Sequence, residues 1–192
     1  GDQTTFEPQY LFEAPVSLDQ RRQSKVKEIQ KLAESDLAGA LSLLIGHRLN
    51  LLISGGTSTG KTTFARHLLK SVSNGDRLIT IEDAFELFPT QPNKVCLIAE
   101  RIPGSERSTN ALLQASLRMR PDRIVLGELR GSEAPTYPEA INTGHGGSVN
   151  TLHAATPELA IYRLAILVPQ AEPPLTFSPA QTYIPKSLHV IV

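Results

Sequence analysis

The residues best suited to chemistry form a glycine-rich stretch that ends in lysine and threonine. Residues 55–62 match the pattern G-x-x-x-x-G-K-T, the apolar run 51–53 precedes them, and apolar positions at helical spacing follow from Phe64. A strand, such a loop and a helix in that order form a phosphate-binding loop, in which backbone N–H groups surround a phosphate at the positive end of the helix. The chain is therefore predicted to bind a nucleoside triphosphate.

The loop residues divide into those that surround the phosphates and those that bring a side chain to them. The predicted binding residues are Gly55, Gly56, Thr57, Ser58, Thr59, Gly60, Lys61, Thr62 and Thr63. The glycines permit backbone angles that other residues avoid. Lys61 is expected to reach the β- and γ-phosphates, and the Thr62 hydroxyl is expected to bind Mg²⁺. ATP and Mg²⁺ are thus the expected cofactors.

Two acidic residues at the ends of later strand-like segments could take part in the hydrolysis of a bound triphosphate. Glu82 follows the segment 77–81, and Glu128 follows the apolar run 124–126. Because ligands of open α/β sheets lie at the carboxyl ends of the strands, both carboxylates are expected beside the loop. Glu128 is predicted to bind the metal ion, and one of the two is predicted to activate the attacking water. The sequence leaves open whether Glu82 or Glu128 is the base, since acidic residues also favour helix N-termini.

Arginine and histidine side chains complete the candidate site. The arginines that could neutralise charge on the γ-phosphate, from this chain or a neighbouring one, are Arg101, Arg107, Arg118 and Arg130. Any one of them could equally be a solvated surface residue. His145 and His153 flank the strand-like segment 148–152, but the absence of a nearby cysteine or third ligand disfavours zinc. His145 is predicted to sense the γ-phosphate and to support turnover.

The rest of the chain supplies the elements that must position these residues. Hydrophobic periodicity and capping residues predict helices over residues 19–34, 36–46, 108–119, 134–143 and 156–167. Strand-like segments lie over residues 77–82, 95–99, 124–126 and 148–152. Alternating strands and helices predict an α/β fold in which a mostly parallel sheet is flanked by helices.

Composition narrows the class of protein. The 192 residues include 19 basic and 19 acidic side chains, so no net charge favours nucleic acid or an acidic membrane surface. The one cysteine, Cys96, lies in an apolar run, which excludes a disulfide scaffold and predicts a buried side chain. No segment has the length and apolarity of a membrane span, and the N-terminal residues lack a signal-peptide pattern, so a cytoplasmic location is predicted.

Four segments, taken in order, resemble the sequence boxes of the secretion ATPases of bacterial type II and type IV secretion systems and type IV pili. Residues 54–63 are similar to the Walker A box of that family, 79–87 to its Asp box, 120–131 to its Walker B box and 142–154 to its His box. The resemblance spans residues 36–168. It implies a RecA-like P-loop NTPase core that hydrolyses MgATP to drive translocation or pilus assembly.

Residues 117–123 and 127–131 look most like the type IV secretion and conjugation branch of that family. By resemblance, the full-length protein is expected to form a homohexamer of like subunits. It is expected to lie in the cytoplasm at the periphery of the inner membrane, to contact other secretion-system components there and to have no membrane span of its own. A pilus extension or retraction ATPase is the alternative within the family.

The resemblance also divides the chain and ranks the remaining alternatives. Residues 1–35 are expected to be an irregular arm and linker helix left from an N-terminal region, and residues 36–192 an ATPase core truncated at its C-terminal end. The Pro-rich segment 169–185 matches no box. A RecA-like nucleic-acid motor is disfavoured, because the basic set around Arg118, Arg120 and Arg123 lacks interleaved aromatic residues for base stacking. A module that binds nucleotide without hydrolysing it is disfavoured by the intact acidic boxes.

Overall fold

Helices and strands alternate along the chain. A computed structural model describes residues 18–102, 104–131, 133–134, 136–142, 146–167 and 187–192. Its helices are α1 (Leu18–Ala33), α2 (Leu37–Gly46), α3 (Lys61–Leu69), α4 (Thr109–Leu117), α5 (Thr136–Asn142) and α6 (Pro157–Leu167). Its strands are β1 (Leu51–Ser54), β2 (Leu78–Glu82), β3 (Lys94–Ile98), β4 (Arg123–Leu126), β5 (Val149–Leu152) and β6 (Val190–Ile191). The predicted α/β class is confirmed.

The strands of the described residues form two parallel three-stranded units that lie side by side. One unit has the order β5-β1-β6, and the other has the order β3-β2-β4. Leu129, just after β4, forms a parallel bridge with Leu152 at the end of β5. The combined order is therefore β3-β2-β4-β5-β1-β6. Because β3 lies at an edge, Cys96 is half-buried rather than buried as predicted.

Alternate residues of the strands point to opposite faces of the sheet and bury two apolar layers. Leu51 and Ile53 of β1 pack with residues of α1, α2 and α3, including Leu68. Leu52 packs with residues of α4, α5 and α6, including Leu164. Helices thus cover both faces of the sheet, because parallel strands are joined by helical crossovers. Strands that are buried on both faces appear in the sequence as continuous apolar runs.

Three helices begin at caps that the sequence indicates. The side chains of Asp36, Ser108 and Thr156 each accept a hydrogen bond from the backbone N–H three residues later, at 2.9, 3.3 and 3.2 Å. These bonds satisfy N–H groups that have no partner within the first turn of a helix. The predicted starts of α2, α4 and α6 are therefore correct to within about one residue.

A partly buried ion cluster joins the amino end of β4 to its surroundings. Asp76 accepts hydrogen bonds from Arg123 Nε and from Arg48 Nη2, both at 2.7 Å. The Arg123 side chain also donates to the carbonyl oxygens of Ile45 at 2.9 Å and Gly147 at 3.3 Å. Arg123 is only 2% exposed. It therefore does not belong to the exposed basic set that the sequence suggests for nucleic acid.

Some sequence-based expectations fall on residues outside the described part. Residues 1–17 of the predicted arm and linker helix lie there, as does the Pro-rich segment 169–185, whereas α1 matches the predicted linker helix. The division of the chain at residue 35 stays a prediction. Among the described residues, no helix combines the length and the apolarity needed to cross a membrane.

The Asp76 cluster is expected to make stability depend on pH. Burial alone would raise the pKa of Asp76, but the hydrogen bonds and charges of Arg123 and Arg48 outweigh it and hold that pKa below its ordinary value. The resulting stabilisation is present above the unfolded-state pKa of about 3.9 and is lost as pH falls through the lower, folded-state pKa. At about pH 7, Asp76→Asn should lower the free energy of unfolding by about 3 kcal/mol, because buried Arg123 loses its charge partner.

Urea unfolding at about pH 7, 5 and 3 measures this contribution. The matched control is Asp36→Asn, because asparagine caps a helix as well as aspartate does. The free energy of unfolding of Asp76→Asn should lie below that of the unchanged chain at the two higher pH values, and the gap between them should narrow at the lowest. If Asp76→Asn loses the same unfolding free energy at all three pH values, or loses no more than Asp36→Asn, then the Asp76 charge contributes nothing to stability.

Candidate active site

The predicted phosphate-binding loop connects β1 to α3, which begins at Lys61. Gly60, the N-cap, has a φ angle of 89°, and Ser58 has a φ angle of 60°. Both lie in the left-handed region, which favours glycine and is strained for serine. A Cβ atom on Gly55 would lie 2.6 Å from Thr59 Oγ1. The loop therefore depends on its glycines and carries strain of the kind found at ligand sites.

Lys61 turns back over this loop. Its Nζ donates hydrogen bonds to the carbonyl oxygens of Gly55 at 3.0 Å and Gly56 at 2.5 Å. A phosphate oxygen is a stronger acceptor for an ammonium group than a neutral carbonyl, because both partners are charged. Thr62 and Thr63 follow in the first turn of α3, where Thr62 is half-buried and Thr63 is exposed. The predicted binding residues are thus gathered around one turn at a helix N-terminus.

Strand register places Glu128 across β5 from the loop. Ser54, the last residue of β1, pairs with Leu152 of β5, and Leu152 bridges to Leu129. Neighbouring strands lie about 4.8 Å apart, so the backbones of residues 54 and 129 are separated by roughly 10 Å. The phosphate-binding loop and Glu128 therefore occupy the same edge of the sheet, with only β5 between them.

The two oxygens of the Glu128 carboxylate have different surroundings. Its side chain is 14% exposed, and Oε2 forms an ion pair with Arg130. Oε1 is buried 3.3 Å from His153 Nε2, but it accepts no hydrogen bond from any residue that the structure describes. The two side chains are close enough to attract each other when His153 is protonated. A buried carboxylate oxygen without a hydrogen bond is costly, so Oε1 fits a position that faces Mg²⁺ or a metal-bound water.

Arg130 joins Glu128 to a row of alternating charges. Its guanidinium pairs with Glu128 and lies 3.5 Å from Asp83 Oδ2, which also pairs with Arg101. The hydrogen bond to Glu128 raises the pKa of Arg130, so Arg130 stays charged. These four side chains line one side of an open cleft of about 440 Å³. The row therefore runs from exposed Arg101 to the largely buried Glu128.

Glu82 is 4% exposed and both of its carboxylate oxygens are bonded. Oε1 accepts hydrogen bonds from the N–H groups of Glu86 and Leu87, both at 2.9 Å, and Oε2 accepts one from Thr80 Oγ1 at 3.2 Å. These bonds hold the loop that follows β2. The geometry favours Glu128 as the base, because Glu128 has the available oxygen. The assignment of the base nevertheless stays a prediction.

The remaining predicted residues lie away from the loop or outside the described part. Arg118 is the C-cap of α4, and the carbonyl of the next residue accepts a hydrogen bond at 2.9 Å from Arg77 Nε, just before β2. Arg118 therefore lies at the amino edge of the sheet, opposite the loop, and could act only on a neighbouring chain. Arg107 pairs with Glu100. His145 lies outside the described residues, so its role stays a prediction.

The structure brings His153 to the site, although the sequence reasoning preferred His145. His153 follows β5 directly, just as Glu128 follows β4. That shared position, at the carboxyl end of a strand, is the signal that could have found it. Asn150 and Thr151 were also missed, because nothing in their local sequence shows that their side chains bond the backbone of Leu126 and Gly127, next to Glu128.

A family model described as "Type II/IV secretion system protein" matches residues 13–192. The chain belongs to this family. The resemblance of the four sequence boxes to secretion ATPases is thereby confirmed.

Curated relatives place the chain near the type IV branch of the family. It is 38% identical over 165 residues to the type IV secretion system protein VirB11 of Bartonella quintana, an alignment that covers 82% of this chain and 46% of that protein. It is 40% identical over 152 residues to protein VirB11 of Agrobacterium tumefaciens, covering 77% and 44%. The chain thus spans about half the length of the curated relatives it matches.

Solved structures of related ATPases share the fold. The VirB11 ATPase of Brucella suis, in complex with sulphate, aligns with a TM-score of 0.75 and 35% identity over 83% of this chain and 49% of that one. The pilus retraction motor PilT with bound ADP aligns with a TM-score of 0.63 and 26% identity, covering 85% and 46%. The predicted RecA-like P-loop fold is confirmed.

Lys61→Ala is expected to weaken binding of MgATP by at least about tenfold. The substitution removes a charge-assisted hydrogen bond to phosphate, which contributes about 1.5–3 kcal/mol, and each 1.4 kcal/mol is tenfold in affinity. Lys70→Ala is the matched control, because Lys70 is an exposed lysine at the other end of α3. Calorimetric titration with MgATP measures both. Equal affinities for the two variants would contradict the assignment of Lys61.

Proposed function

We propose that the chain is the ATPase core of a bacterial type IV secretion or conjugation motor, which couples MgATP hydrolysis to substrate translocation or pilus assembly. The observation that carries the proposal is the placement of the phosphate-binding loop and Glu128 on either side of β5. Family membership and the likeness to an enzyme named as the VirB11 ATPase support it.

Nucleotide binding follows from the loop. The backbone N–H groups between Gly55 and Gly60 and the Lys61 ammonium are the groups that would hold the phosphates. Sulphate in the structure of the Brucella relative and ADP in that of PilT support a site for phosphate and nucleotide. The Thr62 hydroxyl and the Glu128 carboxylate are the residues that would hold Mg²⁺, which when bound neutralises charge on the phosphates.

Hydrolysis requires a residue to orient a water and take its proton. Glu128 Oε1 is suited to this role because it is an anionic acceptor that makes no hydrogen bond with the described residues. His153 and Arg130 flank the carboxylate, so they can fix its orientation and balance its charge. Arg130 can also place positive charge near the γ-phosphate.

The assembly proposed for the full-length protein is a homohexamer that binds other secretion-system components at the cytoplasmic periphery of the inner membrane. The resemblance to secretion ATPases supports it, and the relatives themselves are named as secretion-system proteins. Exposed Arg118, at the far edge of the sheet from the loop, is a candidate to reach the site of a neighbouring subunit. A nucleic-acid motor gains no support, since buried Arg123 leaves the basic set smaller.

Glu128→Gln is expected to keep most of its affinity for MgATP, because the amide oxygen can still face the metal ion or its water. It is expected to hydrolyse MgATP at least about 100-fold more slowly, because glutamine cannot take a proton. Glu82→Gln is the matched comparison. Glutamine at position 82 can still accept hydrogen bonds from Glu86 N and Leu87 N, so turnover should fall less. Phosphate release and calorimetric titration measure the two effects separately.

Three outcomes would contradict this assignment. A larger loss of turnover in Glu82→Gln would make Glu82 the base and contradict the role given to Glu128. Loss of MgATP binding in Glu128→Gln would show that Glu128 acts mainly by holding Mg²⁺ and would contradict its role as the base. Full turnover in both variants would contradict the proposed site.

A further inference from the structure

β4 and β5 lie side by side but belong to different hydrogen-bonded units of the sheet. Between the described residues of the two units, the backbone bridge is the isolated pair Leu129 and Leu152. The phosphate-binding loop belongs to the β1 unit, whereas Glu128 follows β4 in the other unit. The position of Glu128 relative to the loop therefore depends on how β5 contacts the end of β4.

Side chains of β5 replace the missing part of the ladder. Asn150 Oδ1 accepts a hydrogen bond from Leu126 N at 2.7 Å, and Thr151 Oγ1 donates one to the Gly127 carbonyl at 2.6 Å. Thr151 O then accepts a hydrogen bond from Leu129 N at 2.9 Å. Residues on both sides of the reactive carboxylate are thus bonded to two consecutive residues of β5.

The other side of β5 is bonded to the phosphate-binding loop. Leu152 O accepts a hydrogen bond from Gly55 N at 3.3 Å, and Ala154 O accepts one from Ser54 Oγ at 2.7 Å. Gly55 is the first residue of the loop. One short segment, residues 150–154, therefore contacts both the start of the loop and the segment that carries Glu128.

The polar character of these two positions is not explained by packing. Asn150 is 0% exposed and Thr151 is 3% exposed. Apolar side chains of similar size would fill this space but would leave the Leu126 N–H and the Gly127 carbonyl without these hydrogen bonds. Asn150 Nδ2 also donates to the Tyr137 hydroxyl, which lies 2.8 Å from Ser148 Oγ. Such a hydrogen-bonded arrangement specifies one alignment of β4 against β5 more strongly than apolar contacts alone would.

We propose that Thr151, supported by Asn150, is a positioning residue for hydrolysis: its hydroxyl fixes the Gly127 carbonyl and so orients Glu128 towards the phosphate-binding loop. Thr151 acts through Glu128 and need not touch the nucleotide. This inference rests on the proposed function, because orientation of Glu128 matters only if Glu128 serves hydrolysis.

The test compares Thr151→Val, which removes the hydroxyl, with Thr151→Ser, which keeps it. Thr151→Val should lower kcat about tenfold, the effect of losing about 1.4 kcal/mol in the transition state, and leave the Kd for MgATP within about twofold. Thr151→Ser should restore kcat to within about threefold of the unchanged chain. The control is Ser116→Ala, which removes an equally buried hydroxyl that donates to Leu112 O at 2.7 Å in α4, and it should leave kcat unchanged.

A double-mutant cycle shows whether Thr151 acts through Glu128. In a Glu128→Gln background, Thr151→Val should change the residual rate by less than about twofold, because the step that it supports is already lost. The same tenfold loss in both backgrounds would overturn the inference, and so would unchanged kcat in the single variant. A fall in MgATP affinity equal to the fall in rate would also overturn it, as it would show a general structural effect.

The same measurements distinguish failure of the inference from failure of the proposed function. If Glu128→Gln hydrolyses MgATP at the rate of the unchanged chain, the proposed function is wrong and the inference falls with it. If hydrolysis depends on Glu128 but Thr151→Val matches the unchanged chain, the inference alone is wrong.

Discussion

The bonds that β5 makes to its two neighbours hold the candidate site together. On one side, β5 pairs in register with β1 and so with the start of the phosphate-binding loop. On the other, the Thr151 hydroxyl and the Asn150 amide hold the end of β4. The amino end of β4 is fixed separately by the buried pair of Arg123 and Asp76. Polar contacts thus hold both ends of β4, the strand that Glu128 follows.

Charged side chains at the site are balanced by side chains of opposite charge next to them. The chain has no net charge, but Arg101, Asp83, Arg130 and Glu128 form a row of alternating sign along the cleft. Pairs near a protein surface interact more strongly than in bulk water and respond to a new charge placed beside them. A triphosphate bound in the loop would bring several negative charges to this edge. Arg130 and Lys61 are the cations best placed to respond, since Lys61 otherwise bonds only neutral carbonyl oxygens among the residues described.

Features set by local sequence could be predicted, and features set by packing could not. The phosphate-binding loop, the caps at Asp36 and Thr156 and the position of Glu128 after a buried strand follow from glycine positions, capping and periodicity. The burial of Arg123 could not be predicted, because its partner Asp76 lies 47 residues away. The sequence could not separate Glu82 from Glu128 either, because both follow apolar segments. Only the folded loop after β2 shows that the N–H groups of Glu86 and Leu87 occupy the Glu82 carboxylate. The sequence also makes Arg118 a candidate site residue, whereas the fold places it at the edge of the sheet opposite the phosphate-binding loop.

The central claim is that one nucleotide lies between the loop after β1 and the carboxylate after β4. A crystal structure of the chain with Mg²⁺ and a non-hydrolysable ATP analogue tests it most directly. The account predicts that the phosphates lie among the N–H groups of the loop, that Lys61 Nζ has moved from the Gly55 and Gly56 carbonyls to the phosphates, and that Glu128 Oε1 faces the metal ion or its water. An analogue bound elsewhere, or bound in the loop with Glu82 facing the γ-phosphate and Glu128 pointing away from it, would contradict the account.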